Sequence, residues 1–299
     1  MSFERPPEPP DFQERVSQAK GAVIEAIRAG ELPVFTAADA ALWQAYKDHF
    51  ARAQWSKCAF CEMSIVNHDS AVDHFAPKAE LAELSENEAE RGQERKDGLP
   101  NMGDRKAARA IRPGYWWLAY EWCNYLVVCS ACNEKWKRCY FPVAATPRQW
   151  PPTPEVAEAP LLLNPFDDPA PWRHFRFDEF GYMVAAPNKI RGQATLETLG
   201  FDATADGRCR REALRLRRIG PAADAHRHAR AFVRFSLQGP YEQAMYALEN
   251  LYHLGGTERD HAGMVRAIAE HVTGFTWDEL MTFRSLDGGV PAASTGSSS

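Results

Sequence analysis

Two pairs of cysteines in the sequence have the spacing of a metal-binding site. Cys58 and Cys61 form one pair and Cys129 and Cys132 the other, with two residues between the thiols of each pair. A tight turn of this length aims two thiolates at one ion, and four thiolates are a common tetrahedral set for structural Zn²⁺. We therefore predict that the pairs meet in space around one structural zinc, the alternative being two unrelated pairs of core thiols.

A dipeptide that could activate water, Asp73-His74, lies between the two cysteine pairs. A carboxylate can bind a hard divalent cation, and a neighbouring imidazole can accept a proton from water near neutral pH. On its own the dipeptide is a weak indication, because Asp and His also stand together on many protein surfaces. Its interpretation depends on the elements that carry it.

The residues around these motifs predict the elements that must position them. Apolar spacing predicts a helix over residues 16–28 and a second helix over residues 37–55, which leads to the first cysteine pair. A short apolar run at residues 125–128 predicts a buried strand that ends at the second pair. After residue 190 the pattern is mostly helical, so we expect an α+β chain.

The composition is that of an ordinary globular protein, with 45% hydrophobic and 25% charged residues among 299, enough for two domains. The 35 Lys and Arg against 40 Asp and Glu give a net charge of −5, which argues against a protein that coats nucleic acid by bulk charge. No apolar run approaches the roughly 18 residues of a transmembrane helix, and the N-terminus lacks a signal-peptide pattern. The sequence therefore predicts a cytoplasmic location and no membrane partner.

The order of the motifs resembles that of the HNH endonucleases, in the zinc-knuckle branch of the ββα-metal nucleases. The matching strings are VDHFAPK at residues 72–78 and YWWLAYEWCNYLVVCSACN at residues 115–133, together with the cysteine pairs. RPPEPP near the N-terminus and LLNPFDDP at residues 162–169 further resemble a bacterial subfamily. Its members include nuclease subunits of Septu-type and retron-associated anti-phage defence systems.

The resemblance implies an α+β fold in which a zinc-stapled ββα-metal (HNH) core is flanked by N-terminal helices and a mostly helical C-terminal domain. It implies four parts of the chain. These are an N-terminal arm with helices at 1–54, an HNH nuclease domain at 55–145 with a charged insertion at 76–113, a mostly helical domain at 146–285 and a flexible tail at 286–299.

The resemblance also implies a role for each residue at a motif position. His74 resembles the general base that activates the attacking water, and Asp73 resembles a ligand of the catalytic divalent ion. Asn124 matches the middle Asn, which braces the loop under the base. Asn133 matches the final position and would be the second ligand of that ion. The four cysteines match the ligands of the structural zinc.

Two departures from the family pattern affect these expectations. Asn133 stands where many relatives have His, and an amide oxygen favours Mg²⁺ or Mn²⁺ as the catalytic ion over a softer metal. Trp136 occupies the usual position of a Lys. We therefore expect the next residue, Lys137, to take over the contact with nucleic-acid phosphate.

A basic stretch late in the chain is a further candidate for nucleic-acid binding. Arg208, Arg211, Arg215 and Arg218 recur at helical spacing, which predicts one basic helix face that could follow phosphates. The alternative is a solvated face that pairs with the acidic insertion or with a protein partner.

Two other groups of residues have a structural interpretation that we favour over a functional one. The aromatic block at residues 115–125 could stack on bases, but rings at this density more often pack a small core. Asp167, Asp168 and His174 could hold a second metal, but Asp before Pro more often sets a turn.

Together these features predict a metal-dependent HNH endonuclease that hydrolyses nucleic-acid phosphodiester bonds, with DNA favoured as the substrate. The resemblance implies the nuclease effector of an anti-phage defence complex, with an ATPase of the Septu type as a partner. One alternative is an RNA or tRNA nuclease with the same site. Another is a catalytically silent binding subunit stabilised by zinc.

Overall fold

The computed structural model describes residues 2–66, 68–81, 112–144, 159–203 and 207–286. Most of the predicted charged insertion and the predicted domain boundary at residues 145–146 lie outside them. So does the predicted tail at 286–299, except for residue 286, which still belongs to a helix. The described chain mixes helices with small sheets and divides into two compact units. The first unit comprises Met1–Phe175 and Val184–Arg211, and the second comprises Arg176–Met183 and Glu212–Ser299.

Three helices precede the first cysteine pair: α1 (Phe12–Arg28), α2 (Ala37–Gln44) and α3 (Lys47–Ala53). The helix predicted over residues 16–28 is present, whereas the single helix predicted over residues 37–55 is wrong, because the chain forms two. The backbone leaves helical geometry at Tyr46, where φ is −101° and ψ is 10°. The break accompanies burial of the Tyr46 ring against Phe12 and Trp122, a tertiary contact that apolar spacing does not show.

Short strands form four two-stranded sheets among the described residues. They are β1 (Ser70–His74) with β4 (Tyr125–Cys129), β2 (Glu80–Leu81) with β3 (Arg112–Pro113), β5 (Val143–Ala144) with β6 (Ala159–Pro160), and β7 (Phe175–Phe177) with β8 (Met183–Ala185).

The antiparallel pair β1–β4 positions both candidate sites. Ser70 lies opposite Cys129 at one end, and His74 lies opposite Tyr125 at the other. At roughly 3.3 Å per residue, the two ends are about 13 Å apart. The predicted strand over residues 125–128 is present and buried. A helical segment of the π type, which we call the cysteine helix, follows at Ala131–Lys137.

Helix α4 (Ile190–Leu199) belongs to the first unit and packs against the cysteine helix. It ends at Gly200, whose φ of 63° is left-handed, as is common after the last turn of a helix. Within α4, a Cβ at Gly192 would lie 2.3 Å from the carbonyl oxygen of His174. Only a residue without a side chain at position 192 therefore allows α4 to approach the backbone of His174 this closely.

Helices dominate the second unit, as the pattern after residue 190 predicts. Small residues of α5, Ala222, Ala225 and Ala229, are fully buried, and this helix packs against α6 and α7. The bounds are α5 (Glu212–Gln238), α6 (Tyr241–Leu254), α7 (Ala262–Thr273) and α8 (Trp277–Leu286). Across the described part of the chain, no helix has both the length and the apolar character that crossing a membrane requires.

Candidate metal centre and candidate active site

The two cysteine pairs come together in the structure. The Sγ atoms of Cys58, Cys61, Cys129 and Cys132 all lie within 4.8 Å of one another, and those of Cys61 and Cys129 are 3.8 Å apart. A tetrahedral Zn²⁺ with Zn–S bonds of about 2.3 Å places its sulfurs about 3.8 Å apart. The predicted meeting of the pairs is confirmed, and the four-cysteine cluster fits a structural zinc with no coordination position left open.

Local hydrogen bonds shape the first cysteine turn. The backbone N–H of Cys58 donates to the carbonyl of Met63 at 2.9 Å, and the N–H of Glu62 donates to the carbonyl of Cys58 at 3.0 Å. Glu62 has a left-handed φ of 59°, which closes the turn. Burial raises the pKa of the Cys58 thiol well above its ordinary value, so that metal binding there would release a proton.

A buried glutamine that the sequence analysis missed ties the first cysteine turn to β4. Gln54 is fully buried. Its side chain donates to the carbonyls of Val127 at 2.8 Å and Lys57 at 2.9 Å, and it accepts from the N–H of Val127 at 2.8 Å. It thereby completes the hydrogen bonds of a strand that has only one neighbouring strand. No motif marks this residue, because its partners are backbone groups and two of its three hydrogen bonds go to Val127, 73 positions further along the chain.

The imidazole of His74 is held in one tautomer at the end of β1. Its Nε2 lies 2.8 Å from the carbonyl oxygen of Ala119, and because a carbonyl can only accept, Nε2 carries the hydrogen. In the neutral ring the lone pair is then on Nδ1. The rings of Trp43 and Tyr125 stand edge-on to the imidazole, with centroid distances of 4.7 and 5.2 Å, and fix its orientation.

The surroundings of His74 favour the uncharged imidazole. Burial, followed by the positive charge of Lys78, holds the pKa of His74 well below its ordinary value, although the hydrogen bond to Ala119 acts in the opposite direction. Lys78 is also largely buried, and burial lowers its pKa. Its Nζ lies 4.6 Å from the ring centroid of Trp43, a cation–π contact that keeps the ammonium group near the site.

Lys137 is not placed to contact phosphate, and this expectation from the sequence is corrected. Its side chain is fully buried. Its Nζ lies 2.9 Å from Oδ2 of Asp73 and donates to the carbonyl of His74 at 2.7 Å. Because a buried ammonium group needs compensating partners, Lys137 keeps its contacts with Asp73 and His74 at the end of β1 and does not extend to solvent. Oδ1 of Asp73 is the oxygen that this ion pair does not engage.

Asn124 holds the loop that follows His74. Its Oδ1 accepts from the N–H of Ala76 at 2.8 Å, and its Nδ2 donates to the carbonyls of Ala76 and Leu118, both at 3.0 Å. Its own carbonyl accepts from the N–H of Phe75 at 2.8 Å. These hydrogen bonds tie the loop after His74 to the segment before β4, and the catalytic role that the resemblance implies for Asn124 stays a prediction.

Asn133 lies in the cysteine helix directly after Cys132. It is half-buried, and its carbonyl accepts from the N–H of Arg138 at 2.9 Å. Within the ranges that the structure describes, only the four cysteines form a group of three or more His, Cys, Asp or Glu side chains that could share an ion. A second ion held by Asp73 and the amide of Asn133 therefore stays a prediction.

The single basic helix face expected from Arg208, Arg211, Arg215 and Arg218 is not formed. Helix α5 begins at Glu212, so Arg208 and Arg211 precede it and belong to the first unit. Within the second unit, Arg215 donates to the carboxylate of Glu212 at 2.7 Å, and Arg218 is buried with 5% of its surface exposed. Regular spacing gave no sign of where the helix starts.

The two structural interpretations favoured from sequence agree with the contacts. Within the aromatic block, Tyr115, Tyr120, Trp122 and Tyr125 are buried, as packing residues are. Asp168 accepts from the guanidinium group of Arg191 at 2.9 Å, which satisfies its charge without a metal.

The molecule is thus a protein of helices and small sheets with a four-cysteine cluster of metal-binding geometry. Neither a protein-family model nor a solved structure matches the chain. A curated protein, Septu protein PtuB of Bacillus mycoides (strain KBAB4), is 28% identical over 179 residues, which cover 57% of this chain and 53% of the relative. The chain is therefore a distant relative of a Septu protein, and it spans about half the length of that relative.

Proposed function

We propose that the protein is a metal-dependent HNH endonuclease that hydrolyses nucleic-acid phosphodiester bonds, with DNA favoured over RNA. The observation that carries the proposal is the end of β1, where His74 donates through Nε2 to Ala119 and keeps its lone pair on Nδ1, next in sequence to the carboxylate of Asp73. Similarity to a Septu protein supports a place in an anti-phage defence complex. An ATPase of the Septu type is the partner that we propose.

The proposed reaction needs a base for water and positive charge for the phosphate. Water donates a proton to Nδ1 of His74 while its oxygen attacks phosphorus, and the bond from phosphorus to the leaving oxygen breaks. Mg²⁺ or Mn²⁺ bound by Asp73 and Asn133 would supply positive charge to the phosphate and the leaving oxygen. The ammonium group of Lys78 contributes a fixed positive charge near the imidazole.

Three residues position these groups in the proposal. Lys137 binds Oδ2 of Asp73 and the carbonyl of His74, so Oδ1 is available to an ion. Asn124 fixes the loop after the base. The four-cysteine cluster lies at the other end of the β1–β4 pair and has no open coordination position, so its proposed role is structural.

A catalytically silent binding subunit is the competing proposal that one observation favours. Only 3% of the surface of His74 is exposed, so substrate must displace neighbouring groups before it meets Nδ1. The nuclease proposal accordingly requires opening of the site on binding to substrate or partner. The silent subunit requires no opening and no base.

A cleavage assay tests the nuclease proposal. The wild type, His74→Ala and the control His68→Ala, which removes an exposed His just before β1, would each receive supercoiled plasmid, linear DNA and tRNA. Parallel reactions would contain Mg²⁺, Mn²⁺ or EDTA. We expect metal-dependent cutting of DNA by the wild type and His68→Ala, and none by His74→Ala, at equal zinc content. Cutting of tRNA alone would identify the RNA nuclease instead.

A phage plaque assay covers the case in which the purified chain needs its partner. Cells would carry the proposed ATPase together with the wild type, His74→Ala or His68→Ala. Loss of protection in His74→Ala alone supports the nuclease. Full protection by His74→Ala would establish the silent subunit, because a binding role does not use the base.

A further inference from the structure

An arginine far along the chain lies on the four-cysteine cluster. Nη1 of Arg211 donates to Sγ of Cys132 at 3.2 Å and to the carbonyl of Leu199 at 3.4 Å. Arg211 closes the second segment of the first unit and is separated from Cys132 by 79 positions in the sequence. The contact therefore joins the last residue of the segment Val184–Arg211 to the four-cysteine cluster in the segment Met1–Phe175.

Aromatic rings fix the guanidinium group in this position. Its central carbon lies 4.9 Å from the ring centroid of Phe201 and 5.7 Å from that of Trp136. Trp136 belongs to the cysteine helix, as Cys132 does, and α4 packs against the same helix. The Arg211 side chain thus makes four contacts, with two aromatic rings, one carbonyl oxygen and one sulfur. These contacts hold the guanidinium group in a fixed position.

The positive charge of Arg211 would compensate the net negative charge of four thiolates that bind a divalent metal ion. Four thiolates around a divalent ion carry a net charge of −2, and a buried charge is costly unless a counter-charge lies nearby. Arginine keeps its positive charge in any surroundings. A hydrogen bond from a guanidinium group also draws electron density from the sulfur and makes it less reactive towards protons and other electrophiles, which would otherwise displace the metal from it.

We infer that Arg211 is the counter-cation of a zinc ion bound by the four cysteines, and that it retains the ion by hydrogen bonding to the Cys132 sulfur. The inference concerns metal retention and does not depend on the nuclease chemistry. By linkage, the bound ion in turn holds Arg211, and with it the end of the segment Val184–Arg211.

A zinc-release experiment on the full chain tests the inference. Zinc-loaded wild type, Arg211→Gln, Arg211→Lys and Arg210→Gln would be mixed with a chromogenic chelator. Arg210→Gln is the matched control, because it removes the same charge from the neighbouring residue, whose guanidinium group pairs with Asp202 at 3.0 Å. We expect zinc affinity to fall about 10–100-fold in Arg211→Gln, to fall less in Arg211→Lys and to be unchanged in Arg210→Gln.

Cobalt substitution separates this role from simple packing. The thiolate-to-cobalt charge-transfer band should move to lower energy in Arg211→Gln, because the sulfur loses a hydrogen bond, and should not move in Arg210→Gln. Thermal unfolding with saturating zinc should return Arg211→Gln to nearly the wild-type midpoint. An unchanged band together with wild-type zinc release would overturn the inference. So would a loss of stability that saturating zinc leaves uncorrected, since that indicates a packing defect.

Discussion

At the scale of single residues, the ammonium group of Lys137 determines how the end of β1 is held. It is fully buried and engages both the carboxylate of Asp73 and the carbonyl of His74. Removing one partner of a buried ion pair leaves the other charge without compensation, which costs more than the pair itself contributes. The main effect of the pair on the site is therefore to fix the positions of the Asp73 carboxylate and the His74 carbonyl.

Replacing this lysine should destabilise the first unit. We expect Lys137→Met to lower the free energy of unfolding by about 3–5 kcal/mol, because the carboxylate of Asp73, with only 11% of its side chain exposed, loses its ion-pair partner. Lys135→Met, at an exposed position of the same helix, is the control. Denaturant unfolding measures both, and the double variant Lys137→Met/Asp73→Asn should recover part of the loss. Equal effects at residues 137 and 135 would mean that the ion pair does not form.

Local spacing predicted the cysteine cluster, and non-local packing decided the rest of the site. Two residues between thiols are a local geometric requirement, so Cys58, Cys61, Cys129 and Cys132 could be assigned from the sequence alone. The partner of Lys137 depends on how the cysteine helix packs against β1, and no spacing encodes it. A phosphate contact was therefore the natural expectation for a lysine that the structure buries.

At the scale of elements, α4 depends on one glycine for its close approach to the preceding segment. A Cβ at residue 192 would lie 2.3 Å from the carbonyl oxygen of His174 and 3.2 Å from its Cβ. Backbone atoms cannot move aside as the end of a flexible side chain can. The same helix packs on the cysteine helix, so a shift of α4 would also disturb the four-cysteine cluster.

A pair of glycine substitutions tests this approach. We expect Gly192→Ala to destabilise the protein by about 1–3 kcal/mol through overpacking. Gly21→Ala in α1, where a Cβ meets nothing within 4 Å, should instead stabilise it by up to about 1 kcal/mol through helix propensity. Thermal unfolding midpoints of the two variants measure the contrast. A neutral Gly192→Ala would show that α4 can lie elsewhere without cost.

The elements also show why periodicity misplaced the arginines. Positions 208, 211, 215 and 218 have helical spacing, but the helix begins only at Glu212. The spacing of charged residues shows which positions could share a helix face, but it does not show at which residue the helix begins. Two of the four arginines therefore lie in the segment before α5, and one of them, Arg211, contacts the four-cysteine cluster instead of solvent.

At the scale of the whole molecule, the four-cysteine cluster lies beside a small β-structure that needs support. The β1–β4 pair is a two-stranded sheet, and an isolated pair of strands is marginally stable in water at best. Gln54 supplies side-chain hydrogen bonds to one of these strands, and the cysteine cluster joins the end of β4 to the first cysteine turn. We therefore expect metal binding and folding to be coupled in the first unit.

Removing one cysteine should change hydrogen exchange in the first unit and leave it unchanged in the second. In Cys129→Ser we expect loss of zinc together with loss of amide protection in β1 and β4, because the turn and the strand are no longer joined by an ion. Amides of α5 and α6 should keep their protection, since those helices bury a core of their own. His74→Ala should keep both zinc and protection. Hydrogen exchange measured by mass spectrometry on the full chain resolves these segments. A Cys129→Ser protein that retains one zinc and a protected β4 would show that the cysteines do not share an ion.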